Sequence, residues 1–157
     1  MGFAFLKREQ KTERLDPTDM GSATERYETY FPRVFAYVYA CVGRDKPTQE
    51  IVVQAFHRAF QRAGSSDEDR FRTVLFRSAR RMCRPVIKNH RPNDGDSLDP
   101  REHEVMSLVF DAGLTRDQIT HVFHISETSV SSLLMTGLRK LKEQTSPAAV
   151  AAYNHLA

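Results

Sequence analysis

Apolar residues recur at three- and four-residue spacing along most of the chain and never alternate over any length. Every element therefore reads as helix, and the fold class as all-α. The clearest run covers residues 98–144. Asp99-Pro100-Arg101-Glu102 supplies an N-cap, a proline at the first helical position and a glutamate at the third, the makings of a capping box. Val105, Leu108 and Val109 follow at helical spacing, and Gly113 stops the helix. Thr115-Arg116-Asp117-Gln118 is a second capping-box start, ahead of Ile119, Val122 and Phe123. Ser126 caps a third helix whose apolar side reads Val130, Leu134, Leu138 and Leu141. Only His124 and Ile125 separate the second apolar row from that cap, so the two helices meet at a sharp angle. This is the geometry of a helix-turn-helix, which lays its last helix in the DNA major groove. A three-helix bundle that binds only protein is the plainer alternative.

The first half carries a second helical unit. Residues 1–21 are polar and mixed in charge, with Asp16-Pro17 and Gly21 as breakers, and read as a flexible arm. Ser22-Ala23-Thr24-Glu25 opens a long helix bearing Tyr27, Tyr30, Phe31, Val34, Phe35, Val38 and Val42 as a core row; Pro32 inside it should bend or break it. After a turn at residues 43–46, Pro47 starts a second helix reaching about Ala63. Its inner face is Ile51, Val52, Ala55, Phe56, Ala59 and Phe60, and its outer face shows Gln49, Glu50, Gln54, His57, Arg58 and Gln61. The loop over residues 64–69 sets acids at the N-terminus of a third helix from Arg70. Phe71, Val74, Leu75, Ser78, Ala79 and Met82 form its buried row, and Arg72, Arg77, Arg80, Arg81 and Arg84 lie on or beside its open face. Pro85 ends or kinks that helix, and residues 92–97 have linker composition. The expected organisation is an arm (1–21), a helical domain (22–91), a linker (92–97), a helix-turn-helix domain (98–144) and an alanine-rich tail (145–157).

Charge sharpens this picture. The 157 residues carry a net charge of only +3, but residues 1–97 hold 18 Lys+Arg against 13 Asp+Glu, and residues 98–144 hold 5 against 7. The basic footprint of a nucleic-acid binder thus lies away from the helix-turn-helix. From Arg70 to Arg91, with Lys88 among them, there are eight Lys or Arg residues and no acid, for which a polyanion is the natural compensation. Cys41 and Cys83 are isolated thiols, which argues for a reducing cytosol and against a disulfide. The opening residues 1–6 are too short for a signal h-region, and no run approaches membrane-span length, so a cytoplasmic protein without membrane contact is expected. His121 and His124 lack the i, i+4 spacing of a helical metal pair, and no His or Asp is placed to make Cys83 a nucleophile. The expectation is a non-enzyme with no cofactor and no metal.

Two helical units in this order resemble an extracytoplasmic-function (ECF) sigma factor of bacterial RNA polymerase, over roughly residues 25–143. Tyr30-Phe31-Pro32-Arg33-Val34 is similar to that family's first helix, and residues 52–60 to the helix that grips the polymerase clamp. Residues 71–80 are similar to the segment that melts and reads the minus-ten element. Residues 98–105 and 125–130 are similar to the domain that reads the minus-thirty-five element. The resemblance implies core RNA polymerase and promoter DNA as partners, with an anti-sigma factor as a further one. It implies DNA contacts from Arg72, Arg77, Arg80, Arg81, Arg84 and Lys88, with Phe71 and Phe76 as a surface for unstacked bases. On the recognition helix it implies contacts from Thr128, Ser131, Ser132, Met135 and Arg139. Polymerase would be met by Gln49, Glu50, Gln54, His57 and Arg58.

The chain departs from the family pattern at informative places. Its clamp-like helix keeps one acid, Glu50; Val74 stands where a tryptophan is usual; and the first cations of the recognition helix are Arg139 and Lys140, at its far end. Residues 92–97 span at most ~20 Å, whereas one DNA turn is ~34 Å. The expected function is a sigma-like initiation protein. The rival is a non-initiating sigma mimic that sequesters an anti-sigma factor. A dimeric helix-turn-helix regulator would leave the first unit without a role.

Overall fold

The computed structural model describes residues 17–43, 48–88 and 98–144, and all regular structure within them is helical. Six helices follow in order: α1 (Pro17–Val42), α2 (Thr48–Ala63), α3 (Glu68–Lys88), α4 (Pro100–Phe110), α5 (Arg116–Phe123) and α6 (Glu127–Gln144). The arm's first part, the linker and the tail lie outside the described residues.

In α1–α3 the apolar faces meet as the spacing predicts. Ile51, Val52, Ala55, Phe56 and Ala59 of α2 are buried, as are Val34 and Val38 of α1 and Phe71, Leu75 and Ala79 of α3. Aromatic rings carry the contact from helix to helix, with Tyr27 and Phe56 centroids 4.9 Å apart and Phe60 and Phe71 4.8 Å apart. Gly64, at φ +63°, ends α2, and the Asp67 carboxylate accepts from the Arg70 N–H at 3.1 Å to start α3. Three expectations need correction. α1 begins at Pro17, ahead of Ser22 and running through Gly21, because a proline suits the first turn of a helix and one glycine costs only about 1 kcal/mol. Of the two outcomes open to each proline, Pro32 does not break α1 and Pro85 does not end α3. Both are exposed, so water can satisfy the carbonyl that each ring leaves unbonded.

The local chemistry of α4–α6 is as read. The Asp99 N–H donates to Glu102 at 3.1 Å, Thr115 and Gln118 exchange bonds of 3.0 and 3.2 Å, and Ser129 N–H donates to Ser126 at 3.1 Å. His124 takes the left-handed conformation, φ 54°, that turns α5 into α6.

The rotation of α6 is the main departure. Its inward side keeps Val130 and Leu134 of the expected row, adds Leu133, Gly137 and Lys140, and leaves out Leu138 and Leu141. A Cβ at Gly137 would sit 2.7 Å from Met106 Sδ, so the missing side chain is what lets α6 approach α4. Lys140 Nζ then reaches buried Glu102 at 2.8 and 3.0 Å and holds that carboxyl below the usual range. That pair contributes stability that is fully present above the usual carboxylate range and is lost as pH falls from there through the lowered value of Glu102. Leu138 and Leu141 are left exposed. Gly137→Val is expected to push α6 off α4 and cost about 1–3 kcal/mol, read as a lower urea midpoint; an unchanged midpoint would mean that Met106 simply moves aside.

α4 is buried on both sides. Glu102 and Glu104 stand two residues, about 200°, apart, so one acid faces α6 and the other faces α1 and α3. The apolar core is continuous across the two groups of helices, from Tyr30, Val34 and Tyr37 through to Val105, Leu108 and Ala112.

Candidate nucleic-acid interface

The basic row of α3 divides into two sets. Arg77 donates from Nε to the His121 carbonyl at 2.8 Å, and its Nη2 donates to the same oxygen. Arg80 Nε donates to Glu104 at 2.6 Å, with the two side chains 14% and 10% exposed. The guanidinium of Arg80 also lies 4.0 Å over the Phe123 ring. These two arginines face α4 and α5. Arg72 is turned inward as well, 2.6 Å from Asp69 and 3.4 Å from the Tyr30 hydroxyl. Tyr30 donates in turn to Glu68 at 2.8 Å, and burial pushes its phenol up. Arg81 and Arg84 are exposed, and Lys88 closes the helix.

Phe71 and Phe76 are fully buried and cannot receive an unstacked base in this arrangement. Both lie on the inward side of α3, in tilted and edge-on contact with rings of α1 and α2.

The exposed set adjoins the face expected to meet polymerase. Gln49, Glu50, Gln54 and His57 of α2 are exposed and Arg58 is half-buried. An open groove passes between the two helices, bounded by Glu50, Gln54, Arg58, Arg81 and Pro85.

On α6, Thr128, Ser132, Met135 and Arg139 are exposed and Ser131 is half-buried. Met135, at 67% exposure, makes the centre of this face apolar. Lys140 is absent from it, being held by Glu102. The sequence reading missed Arg116, whose Nη1 donates to Ser131 at 3.1 Å. It brings a cation to the first turns of α6, where the sequence shows none. One signal was present: a cation at the first position of α5 opposes the helix dipole, so a reason beyond helix stability was to be sought.

The thiols are protected rather than reactive. Burial, then Glu104, pushes Cys83 up to about 12, and burial raises Cys41 further. Among the described residues no group of three or more His, Cys, Asp or Glu could hold a metal ion, and no helix is long and apolar enough to cross a membrane.

No curated protein and no solved structure matches the chain. Residues 96–143, which contain α4, α5 and nearly all of α6, match the family model of sigma-70, region 4.

Proposed function

We propose that the chain is a sigma-like transcription initiation protein of the ECF group, binding core RNA polymerase through α2 and promoter DNA through α3 and α6. The observation that carries this reading is the coincidence of two independent facts at residues 96–143. The segment matches region 4 of sigma-70, and it folds as a helix-turn-helix with capping-box starts to α4 and α5 and an open outward face. Arg116, Thr128, Ser132, Met135 and Arg139 form the duplex-reading face; Arg81, Arg84 and Lys88, joined by Arg77 and Arg80 when free, form the strand-binding row. Promoter recognition is then divided between two weak surfaces that polymerase holds together. No catalytic step or cofactor belongs to this role.

A second reading has a specific observation behind it. Arg72, Arg77 and Arg80 already have partners within the chain, and the recognition face is poor in cations. Both features suit a sigma mimic that occupies an anti-sigma factor. Co-purification with core polymerase followed by run-off transcription separates the two. The initiation protein co-purifies and yields transcript, and Glu50→Arg, on the exposed face of α2, abolishes both with the helical circular dichroism intact. Stable capture of an anti-sigma factor with no transcript supports the mimic.

A further inference from the structure

We propose that Met135, at the centre of the outward face of α6, reads the C5-methyl group of a thymine in the DNA major groove, so that a T·A pair stands in the middle of the duplex site. The inference rests on the duplex-reading role given to α6 and names the base that this face selects.

Thr128, Ser132, Met135 and Arg139 are all exposed. At about 100° per residue they fall within about 60° of one another, in one stripe along α6. Leu138 and Leu141 are the other exposed large apolar residues of that helix. They stand about 90° and 150° round from the middle of the stripe, so Met135 is its one apolar member. Met135 is 67% exposed, and it takes no part in the core that Val130, Leu133 and Leu134 of the same helix join. Packing within the described residues therefore gives no reason for an apolar side chain at this position.

The neighbours of Met135 favour duplex DNA as its partner. Arg116 is brought to the first turns of α6 by its 3.1 Å bond to Ser131, and Arg139 lies one turn beyond Met135. Cations thus bracket the apolar group, and no carboxylate lies on the stripe between Thr128 and Arg139. That arrangement complements a groove walled by phosphates. Within the stripe, side-chain chemistry then separates the bases. The hydroxyls of Thr128 and Ser132 donate or accept, so they suit more than one base edge. Guanine calls for Arg or Lys, adenine for Asn or Gln, and cytosine for Glu or Asp. A side chain that offers only apolar surface fits the thymine methyl. Methionine is also unbranched and adaptable, so its tip follows a methyl group without needing a rigid pocket.

Replacing thymine by deoxyuridine deletes that methyl and keeps the O4 acceptor beside it, which gives the discriminating test. The full chain at low salt selects duplexes from a pool randomised over about one helical turn of DNA. Each thymine of the enriched sequence is then changed to deoxyuridine in turn. Anisotropy of the labelled duplexes compares the parent chain with Met135→Ala and Arg116→Ala, and circular dichroism confirms helix content. At one position the parent is expected to lose about fourfold in affinity with deoxyuridine, the worth of one buried methyl. Met135→Ala is expected to bind the thymine duplex no more tightly than the parent binds the deoxyuridine one, and to lose the distinction between them. Arg116→Ala should weaken both equally. A deoxyuridine penalty that persists in Met135→Ala comes from DNA shape or another side chain and overturns the inference. An enriched sequence with no such penalty overturns it too, while weakening by Arg116→Ala would still uphold the duplex-reading role. If no sequence is enriched over random duplex, the duplex-reading role itself fails and takes the inference with it.

Discussion

Glu104→Ala is expected to lower the stability of the chain by about 3–5 kcal/mol, the usual cost of removing one partner of a buried ion pair. Two groups lose their acceptor together: Arg80, whose side chain is 14% exposed, and Tyr37, which is fully buried. Burial is also the chief cause that pushes the Tyr37 phenol up, so it cannot ionise to relieve the loss. The alternative outlet is separation of the two groups of helices, which would hydrate Arg80 and Tyr37. The observed loss is therefore capped by the free energy of the closed contact. Urea unfolding followed by circular dichroism distinguishes the cases. A single transition displaced by 3–5 kcal/mol means that the groups unfold as one; a smaller loss with two transitions means that they part first. A single transition displaced by less than about 1 kcal/mol would mean that water already reaches the pair.

That this contact escaped the sequence reading has a physical cause. Caps are local: Asp99 with Glu102, Thr115 with Gln118, and Ser126 with Ser129 each lie within three residues, so residue type and spacing suffice to place them. The inner and outer faces of α2 are legible for the same reason, since a single 3.6-residue period describes them. Glu104 meets Tyr37 across 67 residues and Arg80 across 24, and nothing in either neighbourhood marks the pairing. The rotation of α6 is not legible from its leucine row alone, because a glycine sets it. Gly137 offers no apolar surface, yet it sets which face of α6 can come closest to α4. Periodicity places Leu134 correctly against the core but cannot place Leu138 and Leu141, which are exposed, because close approach rather than hydrophobicity decides the face. The division of the α3 arginines was equally hidden, because Arg77 and Arg81 lie on neighbouring turns of one helix and differ only in what faces them.

The arginine pairs of α3 should accordingly behave very differently. Arg81 and Arg84 are exposed in the closed chain, so replacing both with alanine removes two phosphate contacts outright. The salt slope for single-stranded DNA should fall by about 1.4, at ~0.7 per contact, and affinity near 0.1 M salt by roughly 25-fold. Arg77 and Arg80 are held by the His121 carbonyl and by Glu104, so replacing both in the otherwise native chain removes no contact that was being made. The same change loosens the contact of α3 with α4 and α5 but exposes no cation in return, and the expected effect is under about threefold in either direction. In the Arg33→Ala background the contact of α1 with the end of α4 is lost, which should loosen the packing of α4 and α5 on α3 and free the two arginines. There their replacement should again cost roughly 25-fold. The coupling between sites 33 and 77/80 is thus predicted to be large, while that between 33 and 81/84 should be near zero, as for sites with no shared partner. Anisotropy titrations at four salt concentrations on the six chains measure both couplings. Equal losses from the two arginine pairs in the native background would show that nucleic acid reaches Arg77 and Arg80 without any opening.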